Sequence, residues 1–516
     1  MLFIYENQKD VMKGSLHMES SVALPSDGRT VSTGEGNTWV CPAFKVSGIF
    51  SSHMVLQQNK PIRVWGFSDK PGATVTGTFL GETVSTVVPE VTGQEAVAGK
   101  WTLTFSPHPY CREGQTMRLW DSEGHTVTFD DILLGDVWLI GGQSNAELTL
   151  APCMTLTPSL EFSEQDNFRL FTQTQAYVYE NQRFCQYPQP DIINPDWCWK
   201  RPGREASLAF SAMGYYFARE MTKQIDIPLG LVMMCAGGAC LRELVPEEIA
   251  HEEGYFAGAN VREAGYYNAL IHPLLGLGFT AQLFFQGESE GCWREAAEKY
   301  TYELALLVAD ERKRFGFDFP FYNVQLSSYR EEGTKFFPWL EIVRIKQFDA
   351  LRVIPDSTLT VDMDLGAPED YPDWAHSPRK LELGERLASL TLARQYGIGR
   401  ESDVSSPRPV SAWLSADRRQ ITVEFTDVGA GLIVSGHAPA ESVGMEVHGF
   451  SVGAYDNRVS ARATIVSRCA VLVDVPEDAS DLSYVSYAFF SIVTPENADL
   501  RGGNNLPAPA FSLGLS

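Results

Sequence analysis

Serine, histidine, aspartate, glutamine and a glycine pair recur in this sequence at one kind of place, directly after runs of apolar residues. Val137-Trp-Leu-Ile140 leads into Gly141-Gly-Gln-Ser144-Asn145, and Leu229 to Met234 leads into Ala236-Gly237-Gly238-Ala239. Gln282-Leu-Phe-Phe285 leads into Gln286-Gly287-Glu288-Ser289, and the run Leu359-Thr-Val361 leads on to Asp373-Trp-Ala-His376. In open α/β sheets ligands bind at the carboxyl ends of the strands, so these residues are expected at one edge. A hydroxyl nucleophile, glycine N–H donors, an amide, a base and an acid to orient it are the inventory for acyl transfer. Singly each has a plainer use. Ser144 suits a helix N-cap, Gly237-Gly238 a tight turn, Gln286 a cap and His376 a loop. Their joint placement points to a hydrolase.

The elements that must position them follow from periodicity. The runs above, together with Phe321-Tyr-Asn-Val-Gln-Leu326, read as strands buried on both faces. Between them Phe210, Met213, Gly214, Phe217 and Met221 repeat at helical spacing, and Ser377-Pro378 is expected to cap a last helix carrying Leu383, Leu387 and Leu390. Strands alternating with such helices predict a parallel α/β sheet with helices on both faces. On either side the period falls to two. Ile62-Arg-Val-Trp, Trp101 to Phe105 and Val127-Thr-Phe129 precede it, and Ile421 to Phe425 and Val471 to Val475 follow it, as sandwich-like β regions. The expected division is an extension over 1–44, a β module over 45–130, a catalytic unit over 131–404 and a β-rich module over 405–516.

Composition excludes other classes. With 41 Lys plus Arg against 65 Asp plus Glu, the net charge is −24 and repels a phosphate backbone. No segment is long and apolar enough to span a membrane. The first residues, MLFIYENQKD, lack the basic region and apolar core of a signal peptide, so a cytoplasmic location is expected. Nine scattered cysteines have no zinc spacing and read as free thiols. Gly449-Phe-Ser451-Val-Gly453 fits a nucleophile-elbow pattern, but its flanks are β-like and no histidine follows His448. A metal hydrolase using Asp362, Asp364, Asp370 and His376 is a minor alternative, since no second histidine lies nearby. A non-catalytic carbohydrate-binding protein is another.

Together Gly135-Asp-Val-Trp-Leu-Ile-Gly-Gly-Gln-Ser-Asn145, Gly230-Leu-Val with Gly237-Gly238, Gln286-Gly-Glu-Ser289 and the Asp373/His376 pair resemble the sialate O-acetylesterase-type branch of the SGNH (GDSL-like) hydrolases. Met54-Val-Leu-Gln-Gln, Pro61 to Gly66, Tyr267 to Leu275 and Asn504 to Phe511 extend the resemblance over about residues 45–516. It implies an SGNH-like catalytic sheet and a serine esterase that removes O-acetyl groups from carbohydrates. Ser144 is the implied nucleophile, His376 the base and Asp373 its partner, as the strand-end reading also has it. The Ser144 and Gly238 N–H groups and the Gln286 amide are the implied oxyanion donors, and no metal or organic cofactor enters. The chain departs from relatives at Ala236, Ala239 and Arg242, at Glu290, and in Asp-x-x-His-Ser-Pro. Asn145, Glu288 and Arg242 are candidate substrate contacts. O-acetylated sialic acid is the expected substrate ahead of acetylated xylan, with Arg242 receiving the carboxylate and Arg330 and Arg344 as rivals. A neutral glycan would instead stack on Trp293 or Trp339.

Overall fold

The computed structural model describes residues 30–32, 38–90, 99–181, 185–251, 264–454 and 456–515. Of the expected extension, 1–29 and 33–37 lie outside these residues, while Thr30–Ser32 and Thr38–Val40 pair as antiparallel strands.

The central sheet holds seven strands: β1 (Thr126–Gly142), β2 (Phe168–Thr172), β3 (Trp199–Lys200), β4 (Leu229–Cys235), β5 (Ala281–Phe285), β6 (Phe321–Gln325) and β7 (Ser357–Val361). Their order is β3-β2-β4-β1-β5-β6-β7, all parallel except the edge strand β3. After β1 the chain passes on one side to β2 and the edge strand β3 and returns through β4 beside β1, then builds outward on the other side through β5, β6 and β7. The carboxyl end of β1 is therefore the point where strand order reverses, which is where such sheets open a crevice.

Strand burial explains the continuous apolar runs. Val137, Trp138, Leu139 and Ile140 are all fully buried, because helices cover both faces of the sheet. Each aliphatic side chain so placed contributes about 1.5–3 kcal/mol. Trp138 packs edge-on against Phe217 of α2 (Ala212–Thr222), with ring centroids 4.9 Å apart. Next along the strand, Leu139 points to the opposite face, where its register partner Gln282 lies beside Glu311 of α3 (Arg294–Phe315). The helix read at Phe210–Met221 is α2, capped by Ser211, whose hydroxyl accepts from the Gly214 N–H at 3.2 Å. Further helices are α4 (Leu340–Ala350), packed on α3, and α5 (Lys380–Tyr396), packed on α2. In α5, Ser377-Pro378 does not form the expected cap. Ser377 Oγ accepts from the Arg379 N–H in a turn, and the helix begins at Lys380.

β1 is 17 residues long, and its first half pairs antiparallel with Cys111–Asp121 of the N-terminal β region. The expected division at 130/131 falls inside this strand, at an irregularity around Asp131, whose φ is +56°. C-terminal strands form five- and four-stranded antiparallel sheets whose core includes Ile345 and Phe348 of α4 and Val361 of β7. Gln325 of β6 exchanges two hydrogen bonds with Ala510 of this region, at 2.9 and 3.0 Å. Gly449-Phe-Ser-Val-Gly453 lies largely on the strand Phe450–Ala454, not on a strand–helix turn, so it presents no nucleophile. All nine cysteines are free. No helix among the described residues is long and apolar enough to cross a membrane.

Candidate active site

Ser144 opens a four-residue helix, α1 (Ser144–Glu147), immediately past the end of β1. The turn that raises it needs glycine at 142. Gly142 has φ +125°, and a Cβ there would lie 2.1 Å from the Phe285 carbonyl oxygen of β5. Past β4, the Gly237-Gly238 turn comes alongside, and a Cβ at Gly237 would lie 3.6 Å from the Ser144 Cβ. Gly238 has φ +73°, with open space where its side chain would be. Its carbonyl accepts from Ser289 Oγ at 2.9 Å, tying the turn to the loop after β5. Among the described residues, the Ser144 and Gly238 N–H groups have no acceptor within the protein. Two unpaired backbone donors beside a serine at a strand end are what a developing oxyanion needs.

His376 comes from the loop before α5. Its Nδ1 lies 2.7 Å from Asp373 Oδ2, and Asp373 Oδ1 accepts from the backbone N–H groups of Ala375 and His376 at 2.9 and 3.2 Å. Burial pushes the Asp373 carboxyl up, but the His376 bond and these two N–H groups outweigh it and hold the group below the usual carboxylate range. An ionised acid on Nδ1 leaves Nε2 as the basic nitrogen of the ring.

Asn145 joins the two halves of the site. Its Nδ2 reaches Glu288 Oε1 at 2.7 Å, Tyr329 OH at 3.1 Å and the Ala375 carbonyl at 3.1 Å, while its Oδ1 accepts from Lys380 Nζ at 2.8 Å. The histidine turn is thereby fastened to the helix carrying Ser144. This corrects two expectations. Asn145 and Glu288 are 1% and 2% exposed; Asn145 is spent on Glu288, Tyr329, Ala375 and Lys380, and Glu288 Oε1 on Asn145 and Tyr329, so neither side chain is open to a substrate.

Gln286 is a third correction. It is fully buried, and its Nε2 donates to the Ala239 carbonyl at 3.1 Å and to Glu290 Oε2 at 2.5 Å. With both amide hydrogens committed inside the protein, it is no oxyanion donor. Glu290 is the reason. Its other oxygen accepts from the Leu241 N–H at 2.6 Å, and burial pushes its carboxyl up to about 7. Gln143 does comparable work on the other side, with Oε1 accepting from the Gly287 and Ser289 N–H groups at 3.2 and 3.3 Å.

The expected cations fare unequally. Arg344 is 0% exposed and gives its donors to the carbonyls of Leu326, Ser327, Phe490 and Ser491. Arg242, in the short turn Leu241–Glu243, is 8% exposed and leaves little side chain for a ligand. Arg330 is partly exposed and donates to the Glu369 carbonyl at 2.6 Å, in the segment that leads to Asp373. The Arg294 guanidinium lies over the Trp339 ring at 5.5 Å. A further aromatic face is offered by Trp374, two residues before His376, stacked on the exposed Phe336 at 5.4 Å and 18°. Among the described residues, no group of three or more His, Cys, Asp or Glu side chains is placed to hold a metal ion. Asp364 is paired with Arg386 and Arg501, and Asp362 with Ser327.

Sequence reading passed over Glu147, which has the same placement signal as Ser144. Three residues on from Ser144, it lies on the same face of α1. Its Oε2 accepts from the Gly237 N–H at 2.8 Å and its Oε1 from the Gln175 N–H at 3.2 Å. Tyr329 and Lys380 carried no comparable signal.

A parallel sheet that gathers a serine, a histidine–aspartate pair and two unpaired N–H donors at its reversal point has the layout of an α/β ester hydrolase. Residues 134–393 match the model of the SASA family, carbohydrate esterase, sialic acid-specific acetylesterase; that is half of the chain, and the chain belongs to this family. It is a carboxylic ester hydrolase that removes O-acetyl groups from carbohydrates. Sialate O-acetylesterase of Mus musculus is 26% identical over 413 residues, covering 69% of this chain and 74% of that protein. The Homo sapiens sialate O-acetylesterase is 26% identical over 388 residues, covering 69% and 71%. Among solved structures, a carbohydrate acetylesterase from Xanthomonas citri superposes with a TM-score of 0.74 at 25% identity, covering 91% of this chain and 99% of that one.

Proposed function

We propose that this esterase works through an acetyl-serine intermediate on Ser144 and that its substrate is an O-acetylated sialic acid. His376 takes the Ser144 proton as the hydroxyl attacks the ester carbonyl, and returns it to the leaving sugar hydroxyl. Asp373 fixes the imidazole by its 2.7 Å bond to Nδ1. The Ser144 and Gly238 N–H groups receive the oxyanion, without Gln286. Water then attacks the acetyl group with His376 again as base. The observation that carries these roles is the pair of unpaired N–H groups at Ser144 and Gly238, on a helix that Asn145 ties to the turn of a histidine already oriented by an acid.

The sialate substrate is supported by the family and by the activities for which its mammalian relatives are named. A carboxylate-bearing sugar approaching a chain at −24 needs a local cation, and a guanidinium meets a carboxylate with two parallel bonds. Of the three arginines considered, Arg330 is the one with side chain accessible beside the histidine segment, so we assign it that role. Stacked Phe336 and Trp374 would receive a sugar ring. They favour a neutral acetylated glycan as the second reading, because stacking needs no charge.

Acetate release from 9-O-acetylated sialic acid and from acetylated xylan oligosaccharides, by the parent and Arg330→Ala, separates the two. The expected result is a preference for the sialate, with KM for it raised about tenfold or more in the variant and the xylan reaction unchanged. Deacetylation of the neutral glycan alone would overturn the sialate assignment and leave the esterase in place.

A further inference from the structure

We propose that Glu147 is a positioning residue of this active site: its carboxyl group holds the Gly237-Gly238 turn so that the Gly238 N–H stays aimed at the developing oxyanion. The inference rests on the roles given above to Ser144, Gly238 and His376.

The geometry is local. Glu147 stands one turn along α1 from Ser144 and accepts from the Gly237 N–H at 2.8 Å. That bond occupies the first N–H of the turn and leaves the second, on Gly238, directed elsewhere and unpaired. Gln175 closes the clamp from the other side. Its backbone N–H goes to Glu147 Oε1 and its Nε2 to the Gly237 carbonyl at 3.1 Å, with Tyr266 OH also 3.1 Å from Nε2. Both polar atoms of Gly237 are thus fixed, one by Glu147 and one by Gln175. A glycine pair has wide freedom of φ and ψ, so a donor on it stays aimed only if the turn is tied down.

The test is kcat and KM for p-nitrophenyl acetate in the parent, Glu147→Gln and Glu147→Asp. Glu147→Gln keeps the shape but presents an amide hydrogen to one of the two N–H groups, so the turn loses one of its ties. We expect its kcat to fall about 10–100-fold with KM within about twofold of the parent, because an oxyanion donor acts in the transition state and not in substrate binding. Glu147→Asp keeps two acceptor oxygens and should recover part of that loss. Melting temperatures of all three establish that the folds are comparable. If Glu147→Gln keeps its kcat within twofold, or loses activity only through a raised KM or a lowered melting temperature, the positioning role is wrong. A parent protein that failed to cleave any acetyl ester would instead fault the Ser144 and His376 assignment.

Discussion

Gln286 shows how a residue of the right type can stand in the right block and do different work. Its amide is turned inward to Ala239 and Glu290. Gln286→Ala should therefore act on stability. It leaves Glu290 Oε2 and the Ala239 carbonyl without the Gln286 donor, at a cost of about 1–3 kcal/mol. Calorimetry should record a lowered melting temperature, with turnover reduced less than the roughly 10²–10³-fold that loss of a true oxyanion donor brings. A variant of unchanged melting temperature and hundredfold lower turnover would return Gln286 to the oxyanion site. The direction in which an amide points is set by its neighbours in space, which is why spacing alone misplaced it. Glu147 was the opposite case, since its i+3 relation to Ser144 was legible in the sequence.

At the scale of elements, the site depends on how tightly β1 and β5 approach. Gly142 is held at φ +125° with its α-carbon against the Phe285 carbonyl, so any side chain must displace backbone. Gly142→Ala should cost at least about 1–3 kcal/mol from conformational strain alone, before the clash is added. Equilibrium urea unfolding measures it. A variant with unchanged midpoint and full activity would mean that the turn relaxes freely. Element reading from the sequence succeeded where strands were continuously apolar and missed β2. There Arg169 interrupts the run; its guanidinium folds back onto the carbonyls of Asp166 and Phe168 and stays buried. The long strand β1 was likewise read as two, because its first half alternates in a half-exposed sheet and its second half is buried on both faces.

For the whole molecule, the chemistry is gathered from segments far apart in the chain by a sheet whose order reverses at β1. That much was legible, because parallel strands put their carboxyl ends on one edge whatever their sequence order. The ties that complete the site were not legible. Asn145 to Ala375, Lys380 to Asn145 and Glu290 to Leu241 each span tens to hundreds of residues and follow no period. Nor does periodicity reveal that the C-terminal β region shares a core with α4 and β7. The central claim is that Ser144 carries the acetyl group, and it is tested by acetate release from 9-O-acetylated sialic acid by parent and Ser144→Ala proteins of equal melting temperature. Loss of a nucleophile of this kind costs on the order of 10⁶ in turnover in subtilisin, so release by the variant should fall by several orders of magnitude. Release within tenfold of the parent would contradict the account.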